Sequence, residues 1–274
     1  MKPYKYSFYP SLLDAYQRYL DVDYDTFLWQ DEAGAWHQNY NESSGEYHYS
    51  PEEVDALAKQ ELIDLINRVK KEPNEYVSKG TAFNECVDCL IHKTKSKTLK
   101  TEKLYNEEHK VYAIRCFING FVFDFDLELL KQVASDFEGS LSQVYCETDV
   151  DTMYGRVHLY GFIDELDRNL IVDIKTTKSY TFGNYKKHWQ RHIYPLCVVG
   201  SGSCTEINMF EFYVVKLKGG TTKSPVISGD VFKEDYTFIY EYSMEMVVQQ
   251  CERFIEFLEE NKDLITDKKI FGLQ

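Results

Sequence analysis

Two short stretches, Gly161-Phe162-Ile163-Asp164 and, nine residues after Asp164, Asp173-Ile174-Lys175, constrain this 274-residue chain more than any others. Leu170-Ile171-Val172-Asp173-Ile174-Lys175 reads as a strand, and strand side chains alternate between faces. Asp173 and Lys175 therefore share one face, while Leu170, Val172 and Ile174 share the other. The run Arg156 to Asp164 reads as a second strand, with Val157, Leu159, Gly161 and Ile163 on one face and Asp164 at its end. A tight connection through Asp167-Arg168-Asn169 makes the two strands a hairpin that can bring Asp164 beside Asp173.

Two carboxylates beside an ammonium suit a hard divalent cation, which takes few protein oxygens and leaves its other positions to water and substrate phosphate. The lysine can orient or deprotonate an attacking water, as in metal-assisted phosphodiester hydrolysis. A solvent-facing ion pair on a strand would give the same residues no chemistry.

Downstream, Asn184 reads as a helix N-cap, and Tyr185 to Val199, closed by Gly200, reads as a helix. Gln190 and Tyr194 are four residues apart and lie on one face of it. Pro195 should kink or shorten that helix, because it removes an amide donor and crowds the preceding turn.

An acid at a strand end, a spacer and then acid-x-Lys resembles the core motif of the PD-(D/E)XK nuclease superfamily. Gln190-x-x-x-Tyr194 resembles the QxxxY element of its RecB-like exonuclease branch. Tyr9-Pro10-Ser11-Leu12-Leu13-Asp14-Ala15-Tyr16 resembles the N-terminal helix entry of that branch, and Gly80-Thr81-Ala82-Phe83-Asn84 its G-x-x-x-H helix, with Asn84 where the family has a metal-holding histidine. The resemblance implies a restriction-endonuclease-like core and a Mg2+- or Mn2+-dependent deoxyribonuclease. Asp164 and Asp173 would bind metal with the Ile174 carbonyl, Lys175 would position the water, and Gln190 and Tyr194 would align the strand. With Asn84 in place of histidine, the carboxylates carry the site or Glu85 or Glu147 contributes. The implied partner is DNA with a single-stranded end, together with a recombination protein, in the cytoplasm of a bacterial or phage-infected cell. The rival expectation is a non-catalytic nucleic-acid-binding or assembly module that keeps the fold.

The remaining pattern gives an α/β fold, a mixed central β-sheet flanked by helices with N-terminal helical additions. One domain is expected over 1–274, its part up to 105 mainly helical and 106–274 holding the sheet. Ser50-Pro51-Glu52-Glu53 opens a capped helix whose apolar stripe is Val54, Leu57, Ala58, Leu62, Leu65, Ile66 and Val69, ending before Pro73. Val111 to Phe125 reads as a hairpin around Asn119-Gly120. A helix near Leu127 to Phe137 precedes a strand near Gln143 to Thr148, then come a strand at Ile207 to Lys216 and a closing helix at Ser243 to Asn261. In that last helix Met246, Val247, Cys251, Phe254 and Leu258 face inward.

The net charge of −14 disfavours indiscriminate binding to a polyanion. Its distribution matters more than its sum. Between Asp173 and Glu206 there is no acid, and the interval holds Lys175, Lys178, Lys186, Lys187 and Arg191 with Trp189 and tyrosines interleaved. Such a face suits backbone contact and base stacking. Lys93, Lys95, Lys97 and Lys100 form a second basic run, read as a solvated loop or helix end. His188 and His192 share helical spacing without a third ligand, and face phosphate or pack.

Seven cysteines, an odd and scattered set, suit reduced thiols. Cys86-x-x-Cys89 lacks a second pair and reads as buried structural cysteine on a helix. With only Cys251 after Cys204, no iron-sulfur cluster is expected. No apolar run approaches the ~20 residues that span a bilayer, and Met1-Lys2-Pro3-Tyr4-Lys5-Tyr6 lacks a signal-peptide stretch.

Overall fold

A computed structural model describes residues 5–204 and 206–272. Residues 1–4, part of the segment read as free of a signal peptide, lie outside the described residues. In chain order the elements are β1 (Tyr6–Phe8), α1 (Pro10–Leu20), β2 (Leu28–Gln30), β3 (Trp36–Gln38), β4 (Tyr40–Asn41), β5 (Glu46–Tyr47), α2 (Pro51–Ile66), α3 (Glu75–Ile91), β6 (Lys100–Tyr105), β7 (Val111–Ile118), β8 (Phe121–Asp126), α4 (Leu127–Asp136), β9 (Leu141–Thr152), β10 (Gly155–Asp167), β11 (Leu170–Thr177), α5 (Gln190–Gly200), β12 (Met209–Lys218), β13 (Val226–Thr237) and α6 (Tyr240–Glu260). Two short 3-10 turns follow. No helix among the described residues is long and apolar enough to cross a membrane.

The chain divides into two compact units built from interleaved segments. The first takes the described residues up to Lys70, Asp149–Leu159 and those from Glu245; the second takes Lys71–Thr148 and Tyr160–Met244. None of the four crossings between the units falls near residue 105, where the two parts of the expected single domain meet.

In the first unit β1 runs parallel to the start of β10, Tyr6 opposite Val157 and Phe8 opposite Leu159. Its core is aromatic: Phe8 and Tyr16 both pack on Phe254 of α6, at 5.0 and 4.9 Å between ring centroids. Tyr6 keeps its hydroxyl satisfied by donating to Glu259 at 2.7 Å. The Ser50 capping box forms as expected, with Ser50 and Glu53 bonded reciprocally. The stripe on α2 differs from its expected membership. Val54, Ala58, Leu62 and Ile66 are buried and Ile63 joins them, whereas Leu57, Leu65 and Val69 are exposed. The helix ends at Ile66, so the 3.6-residue phase that Val69 would continue is lost.

The second unit is an α/β layer structure. Its strands lie in the hydrogen-bonded order β10-β11-β12-β13-β8-β7-β6. The β11–β12 and β13–β8 pairs are parallel and the others antiparallel, which makes the sheet mixed. The β7–β8 hairpin turns at Asn119 and Gly120 with φ of 51° and 83°, the left-handed pair that a tight two-residue turn demands. Val172 and Ile174 of β11 join Ala82, Phe83, Cys86 and Val87 of α3 and Leu130 and Val133 of α4 in one buried cluster. Cys86 thus packs as a core thiol, 3.2 Å from Cys116, and none of the seven cysteines is in a disulfide. The lysine run at 93–97 lies in the loop after α3, and Lys100 opens β6.

Helix α3 approaches β11 closely. A Cβ on Gly80 would sit 2.8 Å from Thr176 Oγ1, tighter than side chains tolerate. Overpacking of this kind costs about 1–3 kcal/mol, so Gly80→Leu is expected to lower the thermal midpoint measurably. Thr176→Ala in the same chain should recover part of the loss, because it removes the obstructing hydroxyl. Additive losses in that double mutant would show that the contact is not the cause.

Candidate active site

Strands β10 and β11 pair in the register Glu165–Val172, Leu166–Ile171 and Asp167–Leu170, closed by the turn at Arg168-Asn169. The hairpin is the expected one. Its ladder stops one step short of Asp164 and Asp173, the next residues inward on each strand. There the Asp164 carboxylate replaces a backbone partner, and Oδ2 accepts the Ile174 N–H at 2.8 Å.

Asp173 is 3% exposed. Lys175, two residues on and on the same face, places Nζ 2.7 Å from Asp173 Oδ2 and donates at 2.7 Å to Gln190 Oε1. The Gln190 amide in turn donates to Asp173 Oδ1 at 2.5 Å. Asp173, Lys175 and Gln190 therefore form a ring of two charge-assisted hydrogen bonds, the strong kind, closed by the Lys175–Asp173 ion pair, while Asp173 Oδ2 is buried without a hydrogen-bond partner. Tyr194, one helical turn along α5, is buried. Its hydroxyl is pushed well above the ordinary tyrosine range by burial first and by the Asp173 charge second, and it stays protonated.

These five side chains are brought together; the helix that carries two of them differs from expectation. Residues 185–189 are not helical, and α5 starts at Gln190 and runs through Pro195 to Gly200. The preceding segment forms turns, with Lys186 N–H bonded to Gly183 O and His188 N–H to Tyr185 O. Buried Glu234 of β13 fixes it by accepting from Tyr180 Oη at 2.8 Å and the Gly183 N–H at 2.9 Å. Asn184 is consequently no cap.

The basic face is also redistributed. Trp189 is 6% exposed and cannot stack on a base, and Arg191 lies over the Tyr236 ring at 4.8 Å. His192 is a packing residue, 2.9 Å from Ser243 Oγ and lowered to about 4 by burial and then by Arg191. Lys186 and Lys187 are exposed in the turns.

Asn84 lies on α3 between Gly80, which meets β11, and Asp88, so the three form one line on the helix. Its Oδ1 is buried without a hydrogen-bond partner. Asp88 is the residue the motif reading missed. Burial, then the charges of Glu165 and Glu85, raise it to about 7, and its own charge acts on Asp164. The i,i+4 step from Asn84 was the available signal. Gln143 links the two acids, holding Asp88 down by a hydrogen bond and reaching Asp164 Oδ1 at 3.4 Å. Glu165 is fully buried and satisfied by Ser140 and Ser142. Of the two alternatives to histidine, Glu85 is partly buried beside Asp88, whereas Glu147 is exposed on β9 and accepts from Tyr145 at 2.6 Å.

Burial, and then the Asp173 charge, push Asp164 up to about 7 against the Ile174 amide and Lys175, which hold it down. A donor set of carboxylates, a carboxamide oxygen and a strand carbonyl is all oxygen, which fits a hard divalent cation and no soft one. The partnerless Asn84 oxygen and the costly Asp164 charge are both groups that such a cation would satisfy. Among the described residues, no three His, Cys, Asp or Glu side chains already converge for a metal.

A cavity of about 540 Å3 belongs to the first unit and is lined by Trp29, Trp36, Tyr47 and His48 among others. No Lys or Arg occurs from Tyr19 to Ala58 while acids abound, so that cavity repels phosphate.

No family model matches the sequence, and no curated protein matches it. Among solved structures the chain is similar to a protein called SSO0001, with 16% identity, a TM-score of 0.32 and coverage of 48% of this chain and 56% of that one. It is also similar to a "Putative exonuclease" from Eubacterium rectale, with 10% identity, a TM-score of 0.41 and 76% of each chain covered. The chain thus spans little more than half of the first, and at these scores neither likeness carries a functional argument.

A carboxyl whose folded pKa exceeds its unfolded value favours the folded state fully below the unfolded pKa and loses that contribution as pH rises toward the folded one. In chelator, Asp164→Asn and Asp88→Asn should therefore stabilise the protein at pH 8, by on the order of 1–2 kcal/mol, and do little near pH 4. Mg2+ should reverse the order at pH 8, raising the wild-type melting temperature more than that of Asp164→Asn. Thermal melts at both pH values, with and without metal, check this.

Proposed function

We propose that this protein is a Mg2+- or Mn2+-dependent DNA nuclease of the RecB-like PD-(D/E)XK type, an exonuclease working from a DNA end. The observation that carries the reading is the closed contact of Asp173, Lys175 and Gln190 beside Asp164, four polar side chains with Tyr194 at one partly buried point. Asp164, Asp173 and the Ile174 carbonyl would hold the cation, with Asn84 and Asp88 on α3 as the residues able to complete its shell. When bound, the cation supplies Lewis-acid stabilisation of charge on the scissile phosphate. Lys175 would orient the attacking water, and Gln190 would align the strand. Tyr194, kept protonated, donates a hydrogen bond and removes no proton.

Exposed Lys186 and Lys187 flank the start of α5 and supply phosphate contacts. Cysteines outside any disulfide suit a reducing cytosol, and a recombination or phage-type role with a protein partner follows from the same resemblance. A second reading, a non-catalytic DNA-binding or assembly module, is favoured by two observations: Lys175 and Gln190 already pair with Asp173, and Asn84 offers no imidazole.

Purified protein on labelled linear and covalently closed circular DNA separates these readings. Linear DNA should be degraded to short products in Mg2+, circles should survive much longer, and chelation should stop both. Discrete cutting of circles would remove the exonuclease assignment, and absence of any cleavage would leave the binding module. Asp173→Asn and Lys175→Ala should each lower cleavage by at least about 10²–10³-fold, with the fold checked by thermal melts. Gln190→Ala and Tyr194→Phe should lose less, on the order of tenfold. Wild-type rates in both of the latter would remove the QxxxY assignment. Charge reversal at Lys186 and Lys187 should reduce the slope of log affinity against log salt by about one per lost phosphate contact.

A further inference from the structure

Beyond Lys175 the chain continues Thr176-Thr177-Lys178-Ser179, and these residues form one wall of a separate cavity of about 260 Å3 in the second unit. Leu217 and Gly219 form another wall, at the end of β12 and just past it. Because β11 and β12 are parallel neighbours, the cavity lies outside the carboxyl ends of a parallel pair, where open α/β sheets hold ligands. The crossover between them is α5, the helix that carries Gln190.

The first turns of α3 complete the cavity with Tyr76 and Lys79. Lys79 is 9% exposed, an unusual place for an ammonium. Its stem packs against aromatic rings, Nζ standing 5.4 Å from the centre of Phe123, and its one carboxylate is Glu75 at 3.1 Å, half exposed to water. Lys178 reaches the same place, donating to Tyr76 Oη at 3.0 Å with its Nζ 4.3 Å from that ring's centre. The same Glu75 is the carboxylate that acts on Lys178. Two ammoniums share one screened carboxylate, which leaves the cavity with a net positive charge. A low-dielectric wall strengthens that field. Thr177 is held in place by a reciprocal pair with Ser179, its hydroxyl donating to Ser179 O and accepting from the Ser179 amide.

An anion satisfies this arrangement, and the strand geometry names its chemistry. Four residues separate Asp173 from Thr177, about 13 Å of strand, so a polyanion laid along β11 past Asp173 would bring a later phosphate to the lysines. We propose that the cavity is a phosphate subsite in which Lys178 and Lys79, aided by the Thr176 and Ser179 hydroxyls, grip a phosphate of the strand a few nucleotides from the one at Asp173. This assignment rests on the nuclease reading of the Asp164–Lys175 site. The phosphate is either the terminal monoester of a DNA end, with three non-bridging oxygens, or an internal diester, with two.

The test is binding in chelator, where cleavage plays no part. Full-length protein is titrated against fluorescent single-stranded oligonucleotides bearing a 5′-phosphate, a 3′-phosphate or neither. Lys178→Ala and Lys79→Met, the latter keeping the apolar stem, should each weaken binding about fivefold at low salt and reduce the salt slope by about one. Lys131→Ala, on the exposed side of α4, should leave both unchanged. Weakening confined to one phosphorylated end identifies a terminal phosphate, and equal weakening on all three identifies an internal one. Should Lys79→Met fail to fold, Lys178→Ala decides alone. Wild-type affinity and slope in Lys178→Ala overturn the subsite even if the wild-type protein cuts DNA. Weakened binding by a protein that cuts nothing keeps the subsite and removes the nuclease reading.

Discussion

The hydrogen bond from the Ile174 amide to Asp164 is the contact on which the candidate site depends. The β10–β11 ladder ends at Glu165–Val172, so the Ile174 amide, two steps further on, would be a buried donor without a backbone partner. Leaving such a donor unpaired costs about 1–3 kcal/mol. Asp164 supplies the acceptor, and in doing so is fixed beside Asp173 at the point where the two strands part. The same carboxylate is thus a structural cap for one strand and a charge held next to another charge. Burial raises what that second role costs, and Lys175 and Gln190 offset the cost on the Asp173 side.

How much of this was legible in the sequence depended on the range of the interactions involved. Strand alternation placed Val172 and Ile174 in the core and Asp173 and Lys175 opposite, because side-chain direction in a strand is a local property. The Asn119-Gly120 turn and the Ser50 cap were legible for the same reason. The start of α5 was not. Asn184 has the chemistry of a cap, but Tyr180 and Gly183 are tied to Glu234, more than fifty residues away. A contact of that separation leaves no periodic trace, and the turns it holds displace the helix start to Gln190. Trp189 consequently turned inward, away from the role its aromatic ring implied.

Asp88 shows a different limit. The G-x-x-x-H comparison stops at Asn84, and only the approach of Gly80 to Thr176 reveals which face of α3 lies over β11. Once that face is known, the next residue along it is Asp88, and the acids of the site extend from two to a wider group held by Gln143. On α2 the error ran the other way: Leu57 and Leu65 fit an apolar stripe yet remain exposed, since a stripe predicts which residues can be buried and not how wide the covering surface is.

The chain passes between its two units at 70/71, 148/149, 159/160 and 244/245. During synthesis, therefore, β1 and α1 leave the ribosome long before α6, whose Phe254 and Glu259 supply contacts to Phe8, Tyr16 and Tyr6. The earliest-made core side chains must stay solvated, or be sheltered by chaperones, until the last helix emerges. A stop codon or protease cut before residue 245 would therefore strand Tyr6, Phe8 and Tyr16 without their partners, so the damage of a late truncation falls on the opposite end of the polypeptide.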